Sequence, residues 1–449
     1  MANFSKSNVP QFSVDVYQNE YLPEGGREVN AIVTVTATGG GTVGSPASAP
    51  QVYTPGRGPS AGVAIMVDCS GSMDYPATKM RNARDATAAA IDTLRDGVHF
   101  AVIGGTHVAK EVYPGGGRLS VASATTRDQA KQALRKLSAG GGTAIGTWLR
   151  LAESLLSSAD VAIRHGILLT DGRNEHESAQ DLKASLDHCA GRFTCDARGV
   201  GTDWEVKEVT GIASALLGTA DIVADPAGLA ADFTRMMETA MGKEVADVAL
   251  RLWTPVGTSV KYVKQVAPTV EDLTDRRTEA GPRAGDYPTG SWGDESRDYH
   301  VCVEVPPAGL GREMLAARVS LVVPQPGGAS APNPGAQGLV RAVWTDDMTA
   351  STSINPQVAH YTGQAELAVA IQQGLDLRKA GDFDGATAKL GRAVQLASAS
   401  GNADTAKLLA KVVDVVDATT GTVRLKAKVA EADEMTLETR STKTVRVKK

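Results

Sequence analysis

Residues 62–76 read GVAIMVDCSGSMDYP. An apolar run ends on Asp68, and two hydroxyls follow at alternate positions, Ser70 and Ser72. A second aspartate, Asp171, closes the apolar stretch RHGILLTDG, and Thr143 follows the glycine run of SAGGGTAIGTWL. Five oxygen-bearing side chains, two of them acidic and none a Cys or His, suit a hard divalent cation. Mg²⁺ fits best, because it takes few protein ligands and keeps waters, with Mn²⁺ or Ca²⁺ as alternatives. Neutral hydroxyl ligands leave such an ion electron-poor. Its open position then favours an anionic oxygen from another molecule.

These residues need elements that bring them together. From 61 to 242, apolar strand-like runs alternate with helical patterns, which predicts an α/β fold with a doubly wound, mostly parallel sheet. Ligands of such sheets bind beyond the carboxyl ends of the strands, where the strand order reverses. In the common order 3-2-1-4-5-6, the first and fourth strands flank that crevice. Asp68 and Asp171 end those two strands. Before this domain, residues 1–37 contain two alternating strands, and 38–60 is a Gly/Pro/Ser-rich flexible linker. After it, residues 243–347 change to a period of two and predict a β-sandwich. The N-terminal strands lack a partner of their own, so they are assigned to that sandwich, with the α/β domain inserted into it. Residues 363–418 predict a helical hairpin and a third helix. Residues 419–449 run acidic, then Thr-rich, then basic, and predict a disordered tail.

The span 61–242 resembles a von Willebrand factor type A domain. Asp68, Ser70, Ser72, Thr143 and Asp171 match its metal-ion-dependent adhesion site position for position. The resemblance implies a Rossmann-like fold in which both serines and the threonine ligate the metal directly. The aspartates act directly or through water, and a partner protein supplies a carboxylate. It further implies a non-enzymatic bacterial adaptor or scaffold. The alternative it implies is an accessory subunit of an AAA+ ATPase of the MoxR or chelatase type, since A domains accompany such ATPases.

Around the site, Asp74, Tyr75, Arg173, Asn174, Glu175, Asp203 and Trp204 are expected on the rim, where they would touch a partner. In the tail, Thr436, Thr439, Thr442 and Thr444 are candidate phosphorylation sites that a forkhead-associated domain would read. A net charge of −5 gives no reason to expect nucleic acid. No apolar run is long enough to span a membrane, and the first residues lack the apolar segment of a signal peptide, so a cytoplasmic protein is expected. Cys69, Cys189, Cys195 and Cys302 fit no zinc spacing and read as free thiols, with a Cys189–Cys195 pair as the alternative. No paired-histidine, P-loop or nucleophile-elbow motif supports an enzyme.

Overall fold

The computed structural model describes residues 10–38, 60–324 and 330–447. The predicted linker lies outside the described residues apart from its two ends, as do the last two residues of the tail. The chain divides into two units, one holding residues 60–246 with Gly290–Asp294, the other Gln11–Thr38, Asp247–Thr289 and the chain from Glu295 onward.

The first unit is the doubly wound sheet. Its strands lie in the order Ala220–Val223, Thr194–Val200, Ile163–Thr170, Ala61–Asp68, His99–Gly105, Ala109–Tyr113. The first five run parallel, and Ala109–Tyr113 turns back antiparallel at the edge. Setting aside the two-residue strand Ser120–Val121, which pairs antiparallel with His99–Gly105, the chain order is 3-2-1-4-5-6, with the edge strand in third place. That short return strand is absent from the sequence-based reading. Both faces of a parallel sheet are covered by helices, so its strands must be apolar on both sides. Accordingly Val63, Ala64, Ile65, Met66 and Val67 are all fully buried. The helix Thr78–Thr93 turns Met80, Ala83, Ala86 and Ala90 inward. The Ala61–Asp68 and Ile163–Thr170 strands are direct neighbours, so their carboxyl ends emerge side by side.

The second unit carries two largely antiparallel sheets. One has the order Gln11–Gln18, Glu28–Thr38, Glu295–Glu304, Ser259–Ala267, Glu271–Asp272. The N-terminal hairpin therefore pairs with a strand from the far side of the inserted unit: Thr34 Oγ1 donates to Asp298 Oδ1 at 2.6 Å across 264 positions. The other sheet has the order Thr278–Gly281, Ala284–Trp292, Val245–Trp253, Glu313–Pro324, Ser330–Trp344, Tyr21–Leu22. After the short helix Met348–Thr352 come three longer ones, Pro356–Lys379, Phe383–Ser400 and Ala403–Val412. The third ends where the β-branched run begins: Val413–Asp417 is a strand paired with Thr422–Leu425, although a helix to 418 is expected from the spacing.

The disordered tail is corrected. Glu431–Arg440 is a helix that buries Met435, Leu437, Glu438 and Thr439. Glu438 pairs with Lys379 at 2.7 Å. Beyond it the chain is held by backbone: Val270 N–H donates to Thr442 O at 2.8 Å and Thr444 N–H to Pro268 O at 3.0 Å. Arg446 then reaches both oxygens of the buried Asp298, at 3.0 and 3.1 Å, and Tyr361 also donates to that carboxylate. Two apolar side chains, two ion pairs to buried carboxylates and backbone hydrogen bonds order a segment whose composition alone reads as solvated. No helix among the described residues is long and apolar enough to cross a membrane.

Candidate metal site

Three loops meet at the carboxyl ends of the Ala61–Asp68 and Ile163–Thr170 strands. Backbone hydrogen bonds fasten them before any side chain is considered. Cys69 N–H donates to Gly105 O at 2.7 Å, Gly71 N–H to Gly141 O at 2.9 Å and Gly140 N–H to Cys69 O at 2.8 Å. The glycine run carrying Thr143 is thus drawn onto the loop carrying Ser70 and Ser72. Gly141 adopts φ +83°, a left-handed conformation that glycine takes at no steric cost.

Asp68 is buried completely and ties the loops together. Its Oδ1 accepts from Ser70 N–H at 2.8 Å and its Oδ2 from Thr170 Oγ1 at 2.7 Å. Burial lifts its carboxyl to about 6, and the charge of Asp171 adds to the rise, against the hydrogen bonds from Ser70 and Thr170. Ser70 and Ser72 share a hydroxyl–hydroxyl contact of 2.9 Å, and Ser72 Oγ donates to Asp171 Oδ1 at 2.6 Å. Ser70 and Thr143 are buried and Ser72 is exposed, so the group opens to solvent on the Ser72 side.

Gly172 marks the point where these oxygens converge. A Cβ there would lie 3.0 Å from Ser72 Oγ, 3.7 Å from Thr143 Oγ1 and 3.9 Å from Ser70 Oγ. Three hydroxyls from two loops thus face one small space, with Asp171 in hydrogen-bond contact with Ser72. An oxygen-only cradle of that kind fits a hard divalent cation. Among the described residues no group of three His, Cys, Asp or Glu side chains is placed to hold a metal. This arrangement depends on hydroxyls.

Two contributors are not singled out by the sequence. Thr170 anchors Asp68. Lys79 donates from Nζ to Asp171 Oδ2 at 2.7 Å and to Asp203 Oδ2 at 3.3 Å. Burial works against its charge, yet its hydrogen bond to Asp171 and the attraction of that carboxylate hold its pKa above the ordinary lysine value. Its signal lies in the helix period: Lys79 occupies the same inward stripe as Ala83, Ala86 and Ala90, where a cation is out of place unless paired.

The expected rim divides. Tyr75 is 86% exposed, and Asp74, Arg173, Glu175 and Asp203 are exposed beside the opening. Arg173 pairs with Glu205 at 3.5 Å across solvent. Trp204 is not on the rim: it is 2% exposed, packs on Gly199 and donates from Nε1 to Gly201 O at 3.0 Å. Asn174 is also turned inward, its Oδ1 accepting from Ile145 N–H at 2.8 Å at the start of the helix Ile145–Ser157. Glu177 accepts from the next amide, Gly146 N–H, at 2.9 Å, and His176 N–H donates to Thr143 O at 3.0 Å. The segment after Asp171 is a clamp that fixes Thr143 and the helix behind it.

The profile of the von Willebrand factor type A domain matches residues 61–222, and that of the von Willebrand factor type A C-terminal domain matches 395–441. Among solved structures, a von Willebrand factor type A protein from Catenulispora acidiphila is 52% identical, covering 99% of this chain and 99% of its own at a TM-score of 0.90. The ArnB paralog VWA2 from Sulfolobus acidocaldarius is 14% identical, covering 98% and 100% at a TM-score of 0.61, a likeness of fold alone. Comparison with curated proteins finds no match.

Proposed function

Because this chain belongs to the von Willebrand factor type A family, we propose that its α/β unit is a non-enzymatic binding module for a partner protein. Asp68, Ser70, Ser72, Thr143 and Asp171 would hold Mg²⁺, or Mn²⁺ or Ca²⁺ in its place. The bound ion would supply a Lewis-acidic position for a carboxylate of the partner. The observation that carries this reading is the space before Gly172, faced by three hydroxyls within 4 Å. Tyr75, Asp74, Arg173, Glu175 and Asp203 would form the surrounding contact. Tyr75 is a large exposed aromatic of the kind that anchors interfaces. The segment 61–242 carries binding in this reading, while the sandwich and the 363–418 helices serve as scaffold. A cytoplasmic setting belongs to the same proposal and draws on four free, buried cysteines.

The tail is left out of the binding role. The hydroxyls of Thr436, Thr439 and Thr444 donate to Ala432 O, Met435 O and Val266 O, so phosphorylation at Thr436, Thr439, Thr442 or Thr444 and recognition by a forkhead-associated domain would require this segment to come free first. The accessory-subunit alternative, beside an AAA+ ATPase, would show itself as a copurifying ATPase.

The test is capture of partners from native cytosol by wild type in Mg²⁺, wild type in EDTA, and the double variant Ser70→Ala, Ser72→Ala. A protein retained only by wild type in Mg²⁺ is the expected result. The same proteins retained in all three conditions would refute metal-dependent binding.

A further inference from the structure

The charge arrangement behind the hydroxyls bears on how a cation enters. Asp68 and Asp171 are both fully buried, and Asp171 N–H donates to Asp68 Oδ2 at 3.4 Å, which sets the two carboxylates side by side. Two carboxylates withdrawn from water repel each other, and a buried charge without a partner is costly. The hydroxyls between them carry no charge. Lys79 supplies it: its side chain is 8% exposed, and its Nζ sits 2.7 Å from Asp171 Oδ2. Its second partner, Asp203, is 70% exposed and contributes less through solvent. The helix Thr78–Thr93 holds Lys79 on its inward stripe, so the ammonium is fixed by the fold.

We infer that Lys79 is a built-in counter-cation that balances Asp171 when no metal is bound and thereby weakens the hold of the site on a divalent cation. The inference rests on the metal-binding reading above. With Lys79 in place, the two carboxylates and one ammonium sum to a single negative charge. Without it they sum to two, which matches a divalent ion. Lys79 therefore trades metal affinity for a crevice that is stable without metal. Lys79 Nζ donates to Asp171 Oδ2 while Ser72 Oγ donates to Asp171 Oδ1, so the ammonium would compete with a bound ion for the charge of Asp171.

The experiment uses the full chain as wild type, Lys79→Met and Lys79→Arg. Mg²⁺ affinity is read by titration calorimetry, and melting temperature is read in chelator and in saturating Mg²⁺. Lys79→Met should bind Mg²⁺ roughly tenfold more tightly or better, since one like charge has left a poorly screened site. It should melt below wild type in chelator and gain more from Mg²⁺ than wild type does. Lys79→Arg keeps the charge and should track wild type. Equal or weaker Mg²⁺ binding by Lys79→Met would overturn the inference. So would failure of that variant to fold in saturating Mg²⁺ while Lys79→Arg folds, because the ion should replace the missing charge. If wild type itself binds neither Mg²⁺ nor Mn²⁺, the binding function fails and this inference with it.

Discussion

A methyl group on Gly172 would press on Ser72 Oγ from 3.0 Å, closer than carbon ordinarily approaches. Its φ lies outside the left-handed region, so the backbone accepts alanine and only the cradle is disturbed. Gly172→Ala should therefore weaken Mg²⁺ binding by about tenfold, a loss of about 1.4 kcal/mol, with little change in melting temperature. Titration calorimetry with Mg²⁺ checks this, and unchanged affinity would mean that the cation does not sit before Gly172. At this scale the convergence of these side chains was legible, because Asp68 closes one strand with Ser70 and Ser72 just beyond it, Asp171 follows a second strand and Thr143 follows a glycine run. Lys79 was not, since its role appears only when the helix period is laid against a carboxylate 92 positions away. Trp204 and Asn174 were misread for a related reason. Sequence position put them at the crevice edge, whereas Gly199 and the amide of Ile145 draw them inward.

Elements were legible where a period persists. The parallel strands were read because both of their faces are buried, whereas the order 3-2-1-4-5-6 is the common one for such sheets and is not dictated by the βα alternation. The antiparallel edge strand Ala109–Tyr113 has no helix of its own to announce it. The last segment was misread because its ordering forces come from elsewhere: Lys379 for Glu438, and Asp298 with Val266 for the stretch from Thr442 to Val447. Replacing Arg446 tests that account. Arg446→Met would leave the carboxylate of Asp298 buried with, among the described residues, only Thr34 and Tyr361 as side-chain donors. Arg446 is 44% exposed, so the loss should be smaller than for a fully buried pair, about 2 kcal/mol, measured by urea denaturation. No loss would mean that the segment is held by its backbone contacts alone.

At the scale of the whole molecule, two units with separate cores should melt as two calorimetric transitions. Mg²⁺ should raise the one belonging to the α/β unit and leave the other in place. Acid should act on the second. His300 is buried in the five-stranded sheet, and that burial, aided by the charge of Lys264, pushes its pKa down to about 4 from an ordinary 6.5. The unfolded chain then binds the extra proton first, so the stability this histidine contributes is full above pH 6.5 and is lost as pH falls toward 4. The loss amounts to about 3 kcal/mol. Calorimetry between pH 7 and 4 should show the β-unit transition falling through that window, and His300→Gln should flatten the dependence. A β transition that moves with Mg²⁺, or ignores this pH range, would refute the assignment.

The pairing of Glu28–Thr38 with Glu295–Glu304 sets a timetable for biosynthesis. The hairpin leaves the ribosome early, but the residue that Thr34 contacts is made 264 positions later. At about 5–20 residues per second the wait is on the order of tens of seconds. Through that interval the strand carries Val29, Ile32, Val33 and Val35, all destined for burial, with one edge still open. The inserted α/β unit, built from neighbouring βα steps, can meanwhile fold behind it. A nascent chain arrested before residue 295 would therefore present a finished binding unit joined to a sticky, half-paired hairpin, the species to which a ribosome-associated chaperone would be drawn.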